Sequence, residues 1–284
     1  MKKQSVTLLA IILSVSGFLF SCGNKMNKNA AAETLRLDSI SIEASEHLFG
    51  DAARPACDLK IRLTYVSKAA SDTLQKEIND FFLALSFGNE YIGMEPQEAI
   101  ERYRDAYIHE YKHDLEPILL KDEEGGNERE IGAWYNYNQS IHSRVLLNKG
   151  ELLVYSNEWN DYTGGAHPMY FRSFLNLDLK EMRPLRLDDI FIGEYTEPLT
   201  DLLWEQLMKD QKADSREALL EEGYASTGEL TPTENFYLGK DKITFYYNVY
   251  ELAPYYMGPI QISLPYSAVS HMLGSHTAIR DARS

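Results

Sequence analysis

The chain has 284 residues, 44% of them hydrophobic, which is enough to bury a substantial core in one large domain or two small ones. Its 28 basic residues face 43 acidic ones, and the resulting formal charge of −15 argues against a nucleic-acid-binding protein, because phosphate recognition needs lysine and arginine. With 17 glycines and 10 prolines the chain is not collagen-like, and its 19 tyrosines outnumber the 11 phenylalanines and 3 tryptophans together.

The first 21 residues have the pattern of an export signal. Lys2 and Lys3 precede an apolar run over residues 6–20, which is shorter than the roughly 20 residues of a bilayer span. The run ends in Leu19-Phe20-Ser21-Cys22-Gly23, which resembles a bacterial lipobox. That resemblance implies cleavage before Cys22 and acylation of this cysteine; the alternative is an ordinary secretory signal with a chance cysteine.

The mature chain is therefore predicted to be an envelope protein, held at a membrane by its lipid anchor. Residues 22–34 are small and polar, which is typical of a flexible tether. Because no acidic run follows Cys22, we expect the protein to face the periplasm. Loss of residues 1–21, with two lysines and no acid, changes the formal charge to −17. Cys57 then has no disulfide partner, and we predict that it is a buried small hydrophobe.

Residues 35–130 are predicted to form an N-terminal segment of mixed structure. Alternating apolar residues over positions 59–65 predict a half-buried strand, and a looser alternation over residues 35–42 precedes it. Ser71 offers an N-cap for a helix that ends at Gly88, and Pro96 starts a second helix that continues to about Leu120. Residues 121–126 are predicted to form a charged loop.

Residues 131–273 are predicted to form a second segment, followed by a tail over residues 274–284. Strand patterns occupy residues 134–145, 152–155 and 171–179, and two more strands cover residues 243–247 and 260–264. A helix opens at Thr196, a polar loop covers about residues 209–235, and a short final helix is expected over residues 265–273. Grouped rather than alternating elements favour an α+β fold with antiparallel sheets packed with helices in two small subdomains.

The turn Gly164-Gly165-Ala166-His167-Pro168 is the first candidate site. Paired glycines allow positive φ, and the proline fixes the direction of the chain that follows, so His167 is placed at a rigid corner. His167 either contacts a ligand or is a hydrogen-bonded residue of a structural turn, and the second interpretation is favoured. No further metal ligands lie beside it at close spacing.

Two further constellations carry acids and tyrosines. Asp188 and Asp189 are interpreted as caps or solvated charges, since paired catalytic carboxylates need a separation of about 5–10 Å and opposed environments. The segment over residues 246–259 gathers five tyrosines with two prolines. Tyrosine provides large contact area with a polar end, so this segment is predicted either to bind a protein or sugar, or to pack within a sheet.

The order of these motifs resembles the extracellular domain of RsiV-type anti-sigma factors. The resemblance spans about residues 130–270 and rests on residues 164–168, 176–178, 187–191 and 247–258. The preceding segment, about residues 40–130, is similar to the accessory domain of unknown role in PdaC-type peptidoglycan deacetylases. The resemblance implies an α+β fold and, from the RsiV-type domain, a receptor that binds lysozyme. We recognise no sigma-binding segment, transmembrane helix or deacetylase catalytic domain of those families in residues 1–284, and we therefore expect neither signalling nor deacetylation.

These observations favour a lipid-anchored binding protein whose partner is a lysozyme-like or other basic protein, attracted by the acidic chain. Peptidoglycan or another glycan is the alternative ligand, and a hydrolase using His167 with Asp161 or Asp178 is a weaker one. We expect no enzyme activity, no cofactor, no metal and no nucleic acid partner. The candidate ligand-binding residues are Tyr250, Glu251, Pro254, Tyr255, Tyr256, Gly164, Gly165 and His167.

Overall fold

A computed structural model describes residues 35–125 and 132–284; the predicted signal, Cys22 and the tether lie outside these residues. Within them, six strands form one sheet in the order β1 to β6. The strands are β1 (Arg36–His47), β2 (Ala56–Lys68), β3 (Tyr137–Lys149), β4 (Leu152–Tyr162), β5 (Met169–Asp178) and β6 (Arg183–Pro184). A second sheet contains β7 (Phe236–Leu238), β8 (Lys242–Tyr247) and β9 (Ile260–Pro265).

The six-stranded sheet is antiparallel except where β2 pairs with β3. That pair is parallel, with Cys57 opposite Tyr137 and Arg62 opposite His142. A parallel pair needs a crossover, and helices α1 (Asp72–Phe87) and α2 (Pro96–Glu124) provide it. The predicted α+β class is confirmed, and β2–β3 is the parallel pair in a sheet whose other pairs are antiparallel. The sheet also runs across the boundary predicted at residue 130.

Local chemistry sets the bounds of the crossover helices. The Ser71 hydroxyl accepts a hydrogen bond from the Leu74 amide at 3.2 Å, capping α1, and Gly88 with φ of +115° ends it. Pro96 is the first residue of α2, where its missing N–H costs no helical hydrogen bond. Both helices begin where the sequence predicts.

The six-stranded sheet separates two sets of apolar contacts. Successive residues of β4 point to opposite faces of the sheet. Tyr155 packs with Phe82 of α1 on one face, and Val154 packs with the core of the small sheet on the other. The second face is completed by α3 (Leu187–Ile190), α4 (Thr196–Gln211) and α5 (Arg216–Glu222). None of the helices in the described residues is both long and apolar enough to cross a membrane.

Near the C-terminus the structure differs from three predictions. The predicted helix over residues 265–273 is wrong: after Pro265 the chain makes turns. The predicted polar loop contains α5, whose N-cap is Ser215 and whose C-terminal glycine is Gly223. Residues predicted as a tail contain α6 (Thr277–Arg283), where Asp281 accepts a hydrogen bond from the Glu151 amide at 2.8 Å.

Cys57 lies on β2 and is 1% exposed, in agreement with the predicted buried position. Burial raises the pKa of its thiol to about 11, so the thiol stays protonated at neutral pH. A protonated, buried thiol is a poor nucleophile, and Cys57 therefore serves as packing beneath α2.

Candidate functional site

The site is built around the edge of β5 that β4 does not cover. There two asparagine side chains bond to the strand's backbone, much as a neighbouring strand would. Asn248 accepts from the Arg172 amide at 2.7 Å, while Asn235 accepts from the Phe174 amide at 3.1 Å and donates to the Arg172 carbonyl at 2.9 Å. The amide groups thereby attach the small sheet and its β8–β9 loop to the large sheet.

The turn over residues 163–168 leads into β5 and depends on its glycines. Gly164 has φ of +85° and Gly165 has φ of +110°. A Cβ on Gly164 would lie 2.9 Å from the Trp134 carbonyl oxygen, so a side chain there would collide with backbone. The Tyr162 hydroxyl donates to the Gly165 carbonyl at 3.0 Å and closes the turn. Both glycines are thus structural determinants of the corner.

His167 connects this turn to the β8–β9 loop. Its ring stacks on Tyr255, with centroids 3.6 Å apart and planes 15° from parallel. Its Nε2 lies 3.0 Å from the Tyr250 hydroxyl, and its Nδ1 lies 3.1 Å from the Pro168 carbonyl. The structure therefore brings together two motifs that are 83 residues apart in sequence, with His167 behind Tyr255.

The loop itself is held in a fixed shape. Tyr250 has φ of +68°, a conformation that side chains rarely adopt, and the Glu251 carboxylate accepts from the Asn248 amide at 2.7 Å. Residues Tyr255–Met257 form a 3-10 turn, in which the Met257 amide donates to the Pro254 carbonyl at 3.0 Å. Glu251 and Pro254 therefore shape the loop, which carries the aromatic side chains of Tyr250, Tyr255 and Tyr256.

A groove of about 460 Å³ opens between this loop and the start of β5, and we call it the aromatic groove. Tyr255 and Tyr256 line it, but His167 does not. Tyr256 is 78% exposed, and Tyr170 and Phe171 contribute the aromatic surface of β5. The complete lining is Glu158, Asn160, Tyr170, Phe171, Arg172, Tyr246, Val249, Tyr255, Tyr256, Gly258 and Pro259.

The polar part of the aromatic groove is an ion-pair network. Glu158 bonds to Arg172, and the Arg144 guanidinium approaches the same carboxylate at 3.0 Å. Arg172 also lies over the Tyr246 ring, 5.6 Å from its centroid. Desolvation among neighbouring rings raises the pKa of Tyr255, so its hydroxyl remains a hydrogen-bond donor at neutral pH.

Exposed acids lie close to the most exposed tyrosine. A Cβ built on Gly223 would be 3.4 Å from the Tyr256 hydroxyl, so the C-terminal end of α5 abuts this ring. Glu221 and Glu222, the last residues of α5, are exposed. Two exposed acidic residues therefore directly precede the glycine that adjoins Tyr256.

The two acids considered as catalytic partners of His167, Asp161 and Asp178, contact other residues. Asp161 accepts from the Gln139 amide at 2.9 Å, and burial raises its pKa. Asp178 lies 3.3 Å from the Nε2 of His276. Both ring nitrogens of His167 contact oxygens other than carboxylates, so this arrangement assembles no His–Asp pair around His167.

The paired acids after β6 act as structural partners. Asp189 receives two hydrogen bonds from the Arg183 guanidinium, at 2.8 and 2.6 Å, and one from the Arg186 amide at 2.8 Å. These bonds lower its pKa. Asp188 accepts from the Tyr195 hydroxyl at 2.6 Å. Asp189 therefore caps α3, and Asp188 is an exposed charge bonded to Tyr195, in agreement with their interpretation as caps or solvated charges.

Several groove residues were not singled out from the sequence. Phe171 and Arg172 begin the strand predicted over residues 171–179, and Tyr170 directly precedes it. The sequence therefore placed these residues near a strand but did not predict their exposure to the groove. Glu158 and Asn160 face Arg172 and Tyr170 through the β4–β5 register, which the sequence pattern does not specify.

Comparison with known proteins connects the chain to a family and to two curated relatives. The family model described as a protein of unknown function, DUF3298, matches residues 188–267. The chain is 25% identical over 178 residues to the peptidoglycan-N-acetylmuramic acid deacetylase PdaC of Bacillus subtilis. This match covers 62% of this chain and 35% of PdaC. The chain is also 26% identical over 161 residues to the anti-sigma-V factor RsiV of the same organism. This match covers 51% of this chain and 56% of RsiV. The chain therefore matches less than two thirds of either relative.

Two solved structures of DUF3298 proteins share the fold. One, from Pseudomonas aeruginosa, has a TM-score of 0.57 at 17% identity over 85% of this chain and 96% of that one, which shows the fold alone. The other, from Bacteroides fragilis, has a TM-score of 0.85 at 50% identity and covers 90% of this chain and 99% of that one. The predicted resemblance to RsiV-type and PdaC-type domains is confirmed by the curated matches. This chain is 50% identical to a DUF3298 protein of known structure, 99% of which it covers, and it therefore belongs to the DUF3298 family.

Proposed function

We propose that this chain is a binding protein of the bacterial cell envelope, without enzymatic activity, held by a lipid at Cys22 and facing the periplasm. The observation that carries the proposal is Tyr256, which is 78% exposed on a fixed 3-10 turn at the rim of the aromatic groove. Large aromatic side chains on rigid surfaces are typical anchors of binding sites, because they bury much area and lose little entropy.

A cationic protein of the lysozyme class is the first ligand we propose. The resemblance to RsiV-type domains implies such a partner, and the curated match to RsiV supports it. The exposed acids Glu221 and Glu222 beside Tyr256 would attract a basic surface, as would the formal charge of −17 on residues 22–284. Tyr250 and Tyr256 would then supply the apolar anchors.

Titration of the purified protein with a cationic c-type lysozyme at low ionic strength tests this ligand. We expect Tyr256→Ala to weaken binding at least tenfold, because truncating a central aromatic anchor costs about 2 kcal/mol. Ile192→Ala, a change at another exposed apolar residue (60% exposed), is the matched control and should leave binding unchanged. Absence of binding by the unaltered protein would refute lysozyme as the ligand.

The charge contribution has its own control. The double change Glu221→Gln and Glu222→Gln should slow association and reduce the salt dependence, since rim charges act mainly on the on-rate. The same change at Glu98 and Glu101, two exposed acids of α2, should have a smaller effect. Equal effects of the two pairs would mean that only the total charge matters.

A glycan strand of peptidoglycan is the second ligand, and the shape of the aromatic groove favours it. A volume of about 460 Å³ is typical of small-ligand sites, and aromatic rings beside a Glu158–Arg172 pair offer stacking faces and hydrogen-bonding groups. The curated match to a peptidoglycan deacetylase is consistent with this ligand class.

Soluble N-acetylglucosamine–N-acetylmuramic acid oligosaccharides distinguish the two ligands. Glycan binding should survive high salt, whereas binding of a basic protein should weaken. Phe171→Ala should reduce glycan binding because it removes one aromatic wall of the groove, with Ile192→Ala again as the control. If the oligosaccharides do not bind at millimolar concentration, the glycan proposal fails.

A further inference from the structure

Helix α2 carries a pair of histidines that lies apart from the aromatic groove. The segment His109-Glu110-Tyr111-Lys112-His113 places two imidazoles four residues apart on the helix that covers the opposite face of the six-stranded sheet. The chain has 7 histidines, and no other two are closer than five positions. The prediction of no metal site did not consider His109 and His113.

The two imidazoles are arranged as a chelating pair requires. Residues four apart on a helix are neighbours on one face. The rings of His109 and His113 are nearly parallel, 15° apart, with centroids 6.1 Å from each other, and both side chains are exposed. Two imidazole nitrogens bound to one tetrahedral ion at about 2.0–2.1 Å lie roughly 3.3 Å from each other, which small side-chain rotations of this pair can provide.

A carboxylate fixes which nitrogen of His113 is available. The Nδ1 of His113 lies 2.9 Å from Oδ1 of Asp114. Because an ionised carboxylate only accepts hydrogen bonds, Nδ1 carries the proton, and the lone pair of the neutral ring is on Nε2. A carboxylate behind the ring is the usual outer-shell partner of a metal-bound histidine, where it raises the basicity of the ligand.

Exposure and ligand number define what the pair can bind. The same five-residue pattern occurs on the helices of zinc proteases, where a third protein ligand completes the site. Within residues 35–125 and 132–284, no group of three His, Cys, Asp or Glu side chains is arranged to hold a metal ion. The pair would thus leave the other coordination positions to water. Imidazole ligands select ions such as Zn²⁺, Ni²⁺ and Cu²⁺ over Mg²⁺ and Ca²⁺.

We propose that His109 and His113 form a surface chelating site for divalent transition-metal ions, separate from the ligand-binding surface. The exposed acids Glu110 and Asp114 on the same helix add a favourable field for a cation. Binding is to the folded helix, because the spacing of the two rings depends on α2.

Isothermal titration with ZnCl2 tests the site. The protein should carry Cys22→Ser and no polyhistidine tag, so that neither a free thiol nor a tag competes for the metal. We expect one Zn²⁺ per chain. His109→Ala and His113→Ala should each lower the affinity at least tenfold, and Asp114→Asn should lower it by roughly tenfold through the outer shell.

His142→Ala, which removes an exposed histidine of β3 with no histidine nearby, is the matched control and should bind Zn²⁺ like the unaltered protein. Electron paramagnetic resonance of the Cu²⁺ complex provides a second readout, with two coordinating nitrogens that become one in either single variant. Circular dichroism confirms that α2 is intact in each variant. Unchanged affinity in His109→Ala or His113→Ala, or an equal loss in His142→Ala, would overturn the proposal.

Discussion

At the scale of single residues, two buried tyrosine hydroxyls on the helix-covered face differ in their hydrogen bonding. The Tyr155 hydroxyl donates to the Thr64 carbonyl at 3.1 Å and lies 3.3 Å from Ser86 Oγ, while its ring stacks on Phe82 at 3.7 Å. The Tyr107 hydroxyl is buried without a hydrogen-bond partner in the described part of the chain. Removing these two oxygens should therefore have opposite consequences.

We predict that Tyr155→Phe lowers the free energy of unfolding by about 1 kcal/mol, because a satisfied buried hydrogen bond is lost. Tyr107→Phe removes an unsatisfied polar atom and should leave stability unchanged or raise it. Urea denaturation followed by circular dichroism compares the two directly. A loss of stability in Tyr107→Phe as large as in Tyr155→Phe would contradict this account.

Asp189 should make the stability of the protein depend on pH. Its hydrogen bonds from Arg183 and Arg186 lower its pKa below the unfolded value of about 3.9, so the ionised carboxylate stabilises the fold above that pH. As pH falls through the folded-state pKa, this contribution is lost. We predict that Asp189→Asn costs about 1 kcal/mol at pH 7, after allowing for partial exposure, and less at pH 3, which lies below the unfolded-state pKa. Equal destabilisation at both pH values would show that shape rather than charge is responsible.

The sequence predicted the backbone environment of His167 but not its side-chain contacts. Its rigid corner was predictable from the flanking glycines and proline, since their backbone preferences are local. Its stacking on Tyr255 was not, because that contact depends on how a second loop folds 88 positions later in the chain. The paired acids were predictable as caps for the same local reason.

At the scale of elements, the attachment of the small sheet depends on Asn235. Its side chain accepts a hydrogen bond from the Phe174 amide and donates to the carbonyls of Arg172 and Tyr246, and so links β5 to β8. We predict that Asn235→Ala lowers the free energy of unfolding by roughly 2–4 kcal/mol, because three backbone groups lose their partner. Asn235→Asp should not restore stability, since a carboxylate cannot donate to the two carbonyls.

Thermal denaturation of these variants checks the prediction, with Asn89→Ala in an exposed turn as the matched control. Stability of Asn235→Ala equal to that of the control would mean that water replaces the amide without loss.

Strong periodicity accounts for the elements that the sequence predicts well. β2, α1 and α2 each present a regular apolar face over ten or more residues. α5 and α6 are seven residues long, and the buried residues of α6 include two alanines and an aspartate, so the periodic signal of both helices is weak. The parallel pairing of β2 with β3 could not be predicted, because it depends on where two helices return the chain.

At the scale of the whole molecule, lipidation should decide where the protein is found. Acyl chains on Cys22 contribute about 0.8 kcal/mol for each buried methylene group, enough with two or more chains for stable membrane association. We predict that cells labelled with radioactive palmitate incorporate the label into the unaltered protein and not into Cys22→Ser. After cell fractionation, the unaltered protein should sediment with membranes and the variant should be found in the soluble fraction. Incorporation of palmitate by Cys22→Ser would refute lipidation at this residue.

The continuous sheet also limits how the protein can be divided. β3 is bonded to β2 on one side and to β4 on the other, so residues on both sides of position 130 complete one hydrogen-bonded layer. A fragment starting at residue 132 would expose the backbone of β3 as a new edge strand and uncover Ile141, which is 1% exposed in the intact chain. Exposed edges of this kind pair with other chains. We therefore expect the two halves to fold as one unit, and an isolated half to be prone to self-association.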